Sequence, residues 1–256
     1  MQVAELVESF AASLPGSLVA TDFDGTLAPL RADPEDSRPR AGAVEALATL
    51  ASRGAQIAVI TGRDARTVLR LGGLDEIPGL IVAGLYGAET WTAGELDTPD
   101  TPAAIQALRE RLPGALHGAD PAVWIEDKRL SLVVHARRAA DPEAALAAVT
   151  DPVTVLGGEL GLEVHPGSGV LELRLPGYDK AAALATVADG RAATLFLGDD
   201  LGDLPAFAQI RKLRAAGAIA WGVGVLSSGA EGIPEAADVT VEDPAAVVDL
   251  LRALAH

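Results

Sequence analysis

Residues 17–27 read SLVATDFDGTL, and this stretch decides how the rest of the chain is interpreted. The apolar run 18–20 leads directly into Asp22, Asp24 and Gly25. A short apolar run that ends in turn residues predicts a buried parallel strand followed by a sharp bend. Because ligands bind outside the carboxyl ends of strands in open α/β sheets, we expect both aspartates at a functional edge.

Two carboxylates separated by one residue, on a backbone turned by Gly25, can share one hard cation. Mg²⁺ is usually held by one or two protein carboxylates together with waters and phosphate oxygens. An aspartate beside a metal-bound phosphate can also attack it and form an aspartyl-phosphate. Asp and Gly are equally common in ordinary turns, so this stretch alone leaves both interpretations open.

Composition excludes several classes of protein. The chain has 256 residues, no Cys and a net charge of −16, and aromatic residues make up 4%. The absence of Cys excludes disulfides, thiolate zinc sites and cysteine nucleophiles. An acidic chain with few aromatic residues is a poor candidate for nucleic-acid binding. Glu5 and Glu8 stand where a signal peptide would be basic, and no apolar run could span a bilayer, so we expect a cytoplasmic protein without a membrane partner.

The order of elements predicts an α/β fold with a doubly wound parallel sheet, because apolar runs alternate with helical periodicity. Further core strands are predicted at 56–60, 80–83, 194–197 and 218–225, and helices at 2–13, 41–53, 64–71, 179–189, 206–215 and 243–254.

The pattern changes after the third strand. Residues 91–102 are predicted as an edge turn and linker. The predicted elements that follow are a helix at 103–112, strands at 123–126 and 130–136, and a helix from Asp141 to about Val149. Two further strands, at 161–165 and 170–175, are joined by a predicted turn at 166–169. This order is typical of a small α+β module with an antiparallel sheet. We therefore predict an inserted α+β cap domain at 102–175 and a core formed by 1–101 and 176–256.

Three polar motifs each follow a predicted core strand. They are Asp22 with Asp24, then Thr61, and then the acidic group Asp199, Asp200 and Asp203. If these strands share one parallel sheet, the motifs converge at one edge. Three acids within five residues would repel each other without a cation, so a metal site is preferred over a solvated helix start.

This convergence suggests phosphoryl transfer, in which the protein positions and neutralises charge on the phosphoryl oxygens. Asp22 is the predicted nucleophile, and Asp24 would protonate the leaving alcohol and later activate water. Asp199 would complete the metal site, while Thr61 and Lys180 would contact the phosphate. Taken alone, Thr61 could be a turn residue and Lys180 a solvated surface lysine.

The motifs DFDGTLAPL, TGR, DK and GDDLGD, in that order, resemble those of the haloacid dehalogenase-type phosphatases. More narrowly, GLYGAE (84–89), EDKRLSLVVHARR (126–138), VLELRLPGYDKAAAL (170–184), GDDLGDLPAF (198–207) and VEDPAAVVDLLRAL (241–254) are similar to trehalose-6-phosphate phosphatases. The resemblance covers essentially the whole chain. It implies a haloacid dehalogenase-like core and an Mg²⁺-dependent sugar-phosphate phosphatase with a mobile cap, with trehalose 6-phosphate as the preferred substrate.

The resemblance also implies site residues. It places Asp22, Asp24 (through its backbone carbonyl) and Asp199 on the metal, with Asp200 and Asp203 in support. In the cap, Glu126 and Lys128 match the Glu-x-Lys of the family that contacts sugar hydroxyls; the alternative for this pair is an ordinary ion pair across a turn. The remaining predicted substrate-binding residues are Gly62, Arg63 and Arg174.

The chain departs from the family pattern at four places. Tyr86 replaces a His, Ala136 a Tyr and Ala181 a Gly, and Gly202-Asp203-Leu204 stands where the family has Thr-Asp-Glu. These changes leave a related glycosyl or pseudo-sugar phosphate as an alternative substrate. A more distant alternative is a non-enzymatic switch that holds a long-lived aspartyl-phosphate.

Overall fold

A computed structural model of the chain describes residues 2–167 and 169–255. Its helices are α1 (Gln2–Ala11), α2 (Ala43–Ser52), α3 (Ala65–Gly72), α4 (Ala103–Ala115), α5 (Pro142–Glu159), α6 (Lys180–Ala188), α7 (Leu204–Ala215), α8 (Ile233–Ala236) and α9 (Pro244–Leu254). Its strands are β1 (Leu18–Thr21), β2 (Gln56–Ile60), β3 (Ile81–Gly84), β4 (Glu89–Thr92), β5 (Glu95–Asp97), β6 (Trp124–Asp127), β7 (Ser131–His135), β8 (Glu163–Gly167), β9 (Val170–Arg174), β10 (Ala193–Gly198), β11 (Ile219–Val225) and β12 (Val239–Val241). None of the helices in this described part is long and apolar enough to cross a membrane.

The core sheet has the strand order β12-β11-β10-β1-β2-β3-β4-β5. The strands from β12 to β3 pair in parallel, and β4 and β5 continue the sheet in antiparallel fashion. Strand β1 is central, and all four of its residues are buried. Since β10 and β2 flank β1, the residues after these three strands emerge side by side at the carboxyl edge.

Alternate residues of the core strands pack on opposite layers of helices. Val19 of β1 contributes to a hydrophobic cluster with residues of α1, α2, α3 and α9, whereas Leu18 and Ala20 contribute to a cluster with residues of α6, α7 and α8. A strand covered on both faces must be apolar throughout, which explains the continuous runs in the sequence. The doubly wound fold is confirmed.

A second compact unit is inserted between β5 and α6. The chain divides into Met1–Asp97 with Asp179–His256 and, separately, Thr98–Tyr178. The inserted unit, which we call the cap, has an antiparallel sheet in the order β6-β7-β9-β8. Helices α4 and α5 bury one face of this sheet, through residues such as Leu108, Val153 and Leu173. The other face carries most of the polar side chains of the cap strands.

The structure differs from the predicted elements at several places. The segment predicted as an edge turn and linker forms the hairpin β4–β5, which extends the core sheet. The helix predicted to end near Val149 continues through Pro152 to Glu159. Strand β12 was not predicted, because three residues carry too little pattern. The predicted turn at 166–169 includes Ser168, which lies outside the described residues, and β8 extends to Gly167.

Candidate active site

Backbone pairing within the core sheet fixes the positions of the polar motifs. The Asp22 N–H donates to the Leu197 carbonyl of β10 at 2.9 Å, so Asp22 follows β1 beside the end of β10. The Thr61 N–H donates to the Ala83 carbonyl of β3 at 3.0 Å. Thr61, Asp22 and Asp199 therefore stand at the carboxyl ends of three adjacent strands.

Three carboxylates and one ammonium group meet at this edge. Asp22, Asp199 and Asp203 each offer an oxygen, and these oxygens all lie within 4.8 Å of one another. Lys180 Nζ lies 2.9 Å from Asp22 Oδ1 and 2.6 Å from Asp203 Oδ1. All four residues are buried. The first turn of α6 thus delivers its lysine directly to the residue that follows β1.

Burial sets the protonation behaviour of this cluster. It raises the pKa of Asp22 well above its usual range, and the neighbouring carboxylates add to the effect against the opposing charge of Lys180. Burial and the charge of Asp203 likewise raise the pKa of Asp199 to about 7. For Lys180, burial lowers the pKa, but the charges of Asp203 and Asp22 outweigh it and raise the pKa well above 10.5. The cluster contains more negative charge than one lysine can balance.

Asp203 has a supporting place in the cluster. Its Oδ1 accepts the hydrogen bond from Lys180, and its Oδ2 accepts the backbone N–H groups of Asp199 and Asp200 at 2.9 and 3.0 Å. Burial raises its pKa to about 6. Gly198 gives the carboxylate room, because a Cβ there would lie 2.4 Å from Asp203 Cγ. Asp203 therefore orients Lys180 and the loop after β10 together.

The oxygens of this cluster fit a hard divalent cation. Carboxylate and carbonyl oxygens are the ligands that Mg²⁺ prefers, and a bound cation would balance the excess negative charge. The turn at Gly25 is built around Asp199: Gly25 has φ +80°, and a Cβ there would lie 2.1 Å from Asp199 Oδ2. Thr26 Oγ1 donates to Asp199 Oδ1 at 3.1 Å. Both features hold the Asp199 carboxylate at the site.

Two serines after β11 complete the surroundings of Asp199. Ser227 Oγ donates to the Gly25 carbonyl at 2.5 Å, and Ser228 Oγ donates to the Asp199 carbonyl. These bonds tie three strand ends together. Neither serine was predicted as a site residue, although both belong to a Ser-Ser-Gly turn at the end of an apolar run, which is the same signal that identified the other motifs.

Asp24 points to different partners. Arg63 Nε lies 2.5 Å from Asp24 Oδ2, and Arg63 Nη2 lies 2.7 Å from Asp24 Oδ1. Ser37 Oγ donates to the same Oδ1 at 2.8 Å. Arg63, which was predicted to bind substrate, therefore forms an ion pair with Asp24, the predicted acid/base.

The turn after β2 is supported by the segment that follows β3. The N–H groups of Tyr86 and Leu85 donate to the carbonyls of Thr61 and Arg63, each at 2.9 Å. Leu85 and Tyr86 have φ of 48° and 59°, which is uncommon for residues other than Gly. The carboxylate of Glu89 accepts the Ala65 N–H at the start of α3 at 2.6 Å. This support holds Thr61 and Gly62 in a fixed turn.

In the cap, Glu126 and Lys128 have different neighbours. Glu126 Oε2 lies 2.8 Å from His135 Nε2, and the His135 ring stacks on Trp124 with centroids 4.0 Å apart. Lys128 Nζ lies 3.8 Å from the carboxylate of Glu172.

The cross-strand pairing of β6, β7 and β9 puts these groups on the face that α4 and α5 leave uncovered. Arg174 Nη2, predicted to bind substrate, lies 3.3 Å from His165 Nδ1 of β8. Glu172 was not predicted as a site residue, and its carboxylate also accepts a hydrogen bond from Ser131 at 2.7 Å.

Comparison with known proteins identifies the fold first. A haloacid dehalogenase-like hydrolase from Bacteroides thetaiotaomicron superposes with a TM-score of 0.67 at 17% identity, over 92% of this chain and 98% of that one. The trehalose-6-phosphate phosphatase of Aspergillus fumigatus superposes with a TM-score of 0.75 at 24% identity, over 100% and 97% of the two chains. The fold is that of the haloacid dehalogenase-like hydrolases.

Sequence comparison then identifies the family. The family described as trehalose-phosphatase matches residues 20–237. The trehalose-phosphate phosphatase of Mycobacterium marinum is 38% identical over 213 residues, which are 76% of this chain and 52% of that protein. That of Mycobacterium leprae is 32% identical over 238 residues, 85% and 52% of the two. The chain belongs to the trehalose-phosphatase family, and it spans about half the length of the curated relatives it matches.

Proposed function

We propose that the protein is a phosphoric monoester hydrolase that converts trehalose 6-phosphate to trehalose and inorganic phosphate through an aspartyl-phosphate on Asp22. The observation that carries the proposal is the buried contact of Lys180 with Asp22 and Asp203, at the carboxyl edge of the core sheet. Family membership and the names of the curated relatives support the choice of substrate. A cytoplasmic location remains a prediction from the sequence.

Mg²⁺ is the cofactor that the site fits. Asp22, Asp199 and the backbone carbonyl of Asp24 would hold it, whereas Asp203 is occupied by Lys180 and two backbone N–H groups. When bound, the ion neutralises charge on the phosphoryl group and keeps Asp22 ionised. The site fits Mg²⁺ because all of its ligand atoms are oxygens and because Lys180 alone does not balance the negative charge of the carboxylates.

The first half of the reaction breaks the ester bond. An oxygen of Asp22 forms a bond to phosphorus while the bond to the sugar oxygen breaks, and the electron pair of that bond goes to the sugar oxygen. Asp24 supplies the proton that this oxygen needs to leave as an alcohol. Lys180, the Thr61 hydroxyl and the N–H groups of the turn at Gly62 hold the phosphoryl oxygens.

The second half releases phosphate. Asp24, now ionised, takes a proton from a water molecule, whose oxygen attacks phosphorus and frees the Asp22 carboxylate. Spontaneous hydrolysis of phosphate monoesters is so slow that accelerations reach about 10²¹-fold. No single group supplies such a factor, so nucleophile, acid/base and fixed positive charges must act together.

The polar face of the cap sheet is the proposed source of sugar specificity. Glu126, Lys128 and Arg174 carry donors and acceptors that suit sugar hydroxyls. Each is already oriented by a neighbour of opposite or complementary polarity, as a sugar-binding residue needs to be. The four departures from the family pattern make a related glycosyl or pseudo-sugar phosphate the second candidate substrate.

Phosphate release from a panel of phosphorylated mono- and disaccharides tests the proposal. With Mg²⁺, we expect the highest kcat/KM for trehalose 6-phosphate, no turnover after chelation of the metal, and no turnover by Asp22→Asn. A higher kcat/KM for another sugar phosphate would support the second candidate. A protein that takes up phosphate on Asp22 from a small donor, yet never releases it catalytically, would be the switch instead.

A further inference from the structure

The surroundings of Asp24 contain a residue that none of the motifs includes. Ser37 lies in the polar loop between β1 and α2, yet it is 1% exposed, whereas its neighbours in the loop are mostly exposed. Its hydroxyl donates to Asp24 Oδ1 at 2.8 Å and accepts from Arg63 Nη2 at 3.2 Å. The hydroxyl thus closes a triangle with the Asp24 carboxylate and the Arg63 guanidinium.

The Ser37 hydroxyl is not needed to form the loop. The Ser37 N–H already ends a short 3-10 turn by donating to the Pro34 carbonyl at 3.3 Å, and Asp33 caps the start of that turn. The Ser37 carbonyl accepts from Arg38 Nη1 at 2.8 Å. Since the N–H and carbonyl of Ser37 already have hydrogen-bond partners in the loop, the contact of its buried side-chain hydroxyl with Asp24 does not serve to form the loop.

The three donors divide the two oxygens of Asp24 unequally. Oδ1 accepts from Ser37 Oγ and Arg63 Nη2, which fills both lone-pair positions of a carboxylate oxygen. Oδ2 accepts from Arg63 Nε and from no other group in the described part of the chain. Among the described residues Oδ2 thus has one donor where Oδ1 has two, and the Asp24 side chain as a whole is 29% exposed.

We infer that Ser37 is a positioning residue for the acid/base Asp24, acting together with Arg63. By occupying Oδ1, the hydroxyl directs proton exchange to Oδ2 and fixes the plane of the carboxylate. In the reaction, the proton on Oδ2 passes to the leaving oxygen as the bond to phosphorus breaks. This inference rests on the proposed function, because it assigns Asp24 the proton transfer to the leaving group.

The experiment exploits the fact that leaving groups differ in their need for a proton. Nitrophenolate is a weak base and leaves unaided, whereas phenolate and a sugar alkoxide are stronger bases that depend on the general acid. We would compare kcat/KM for p-nitrophenyl phosphate, phenyl phosphate and trehalose 6-phosphate, since kcat/KM reports steps up to the first release of product. The variants are Ser37→Ala, Ser37→Thr, and Ser52→Ala as a matched control whose hydroxyl bonds within α2.

For Ser37→Ala we expect kcat/KM to fall about tenfold for trehalose 6-phosphate and phenyl phosphate, and less than about threefold for p-nitrophenyl phosphate. Ser37→Thr, which keeps the hydroxyl, should restore most of the loss, and Ser52→Ala should match the wild type. Equal losses on all three substrates, or no loss, would overturn the inference. A wild type that hydrolyses none of them would overturn the proposed function itself, which is a different result.

Discussion

The core site and the polar face of the cap both pair a lysine with glutamate or aspartate, but under different conditions. Lys180 has a side chain only 4% exposed and contacts two carboxylates at 2.6 and 2.9 Å. Lys128 has a side chain 26% exposed, and its Nζ lies 3.8 Å from a single carboxylate, that of Glu172. The first arrangement is tight and buried, and the second is looser and more hydrated.

This difference follows from what each region is proposed to do. Phosphoryl transfer gains most from charges that are already in place, because they need no reorganisation during the reaction. Recognition of sugar hydroxyls needs donors and acceptors that can exchange water for substrate at small cost. Burial therefore concentrates electrostatic strength in the core, while partial exposure keeps the cap residues available for a ligand.

Removing each lysine gives the largest expected contrast. Lys180→Ala leaves Asp22 and Asp203 buried without their cation, so we expect the free energy of unfolding to fall by about 3–5 kcal/mol. Lys128→Ala removes a partly hydrated pair and should cost less than about 1 kcal/mol. Denaturant unfolding of both variants in Mg²⁺-free buffer measures the two values. Losses of similar size would contradict the distinction between the two regions.

The second prediction concerns Gly25, whose missing side chain gives Asp199 its place. Gly25→Ala would push the Asp199 carboxylate away, and misplacement of a reacting group by about 1 Å costs on the order of 100-fold in rate. We expect a loss of that size in phosphate release, together with weaker Mg²⁺ binding by calorimetry.

Gly16→Ala is the matched control for Gly25→Ala, because Gly16 also has a positive φ of 82° but has nothing within 4 Å of the added Cβ. It should lose some stability from backbone strain and retain activity. If both variants lost activity equally, the effect would come from the backbone conformation and not from Asp199.

The third prediction tests the sugar-binding assignment in the cap. Lys128→Ala should lower kcat/KM for trehalose 6-phosphate by about 10- to 100-fold, as expected for one lost polar contact of about 1.4–3 kcal/mol, and leave p-nitrophenyl phosphate nearly unchanged. Arg111→Ala, which removes an exposed ion pair with Glu159 between α4 and α5, is the control and should alter neither value. Equal losses on both substrates would remove the assignment of Lys128.

The cluster of polar residues at the carboxyl edge of the core sheet was predictable because its signals are local. Each of its motifs directly follows an apolar run, so a parallel sheet places Asp22, Thr61 and Asp199 together regardless of the conformation of the loops that follow. Ser37 was not predictable in this way: it lies 13 residues after Asp24, in a loop without periodicity, and only the folded loop shows that its hydroxyl returns to the carboxylate.

The cap shows the opposite failure, in which a local signal was misleading. The helix was predicted to end near Val149, and Asp151 followed by Pro152 just beyond it is a pattern typical of a helix start. In the structure, Val149, Val153 and Leu156 all pack into the hydrophobic core of the cap, and α5 continues through the proline. Burial of this continuous face outweighs the local cost of a proline inside a helix, which is about 3 kcal/mol.

The smallest expected effect is the pH dependence of an exposed pair in the cap. The hydrogen bond from Arg109 lowers the pKa of Asp127 below its usual value of 3.8. A carboxyl with a lowered pKa in the folded state stabilises the protein above its unfolded pKa, and this contribution is lost as the pH falls through the folded pKa. Arg109→Met should therefore lower the free energy of unfolding by about 0.5 kcal/mol at pH 7, and the difference from the wild type should shrink below about pH 4. Denaturant unfolding at a series of pH values measures this difference. If the difference in free energy of unfolding between wild type and variant stayed constant down to the most acidic pH, Arg109 would stabilise the cap by packing and not through its charge.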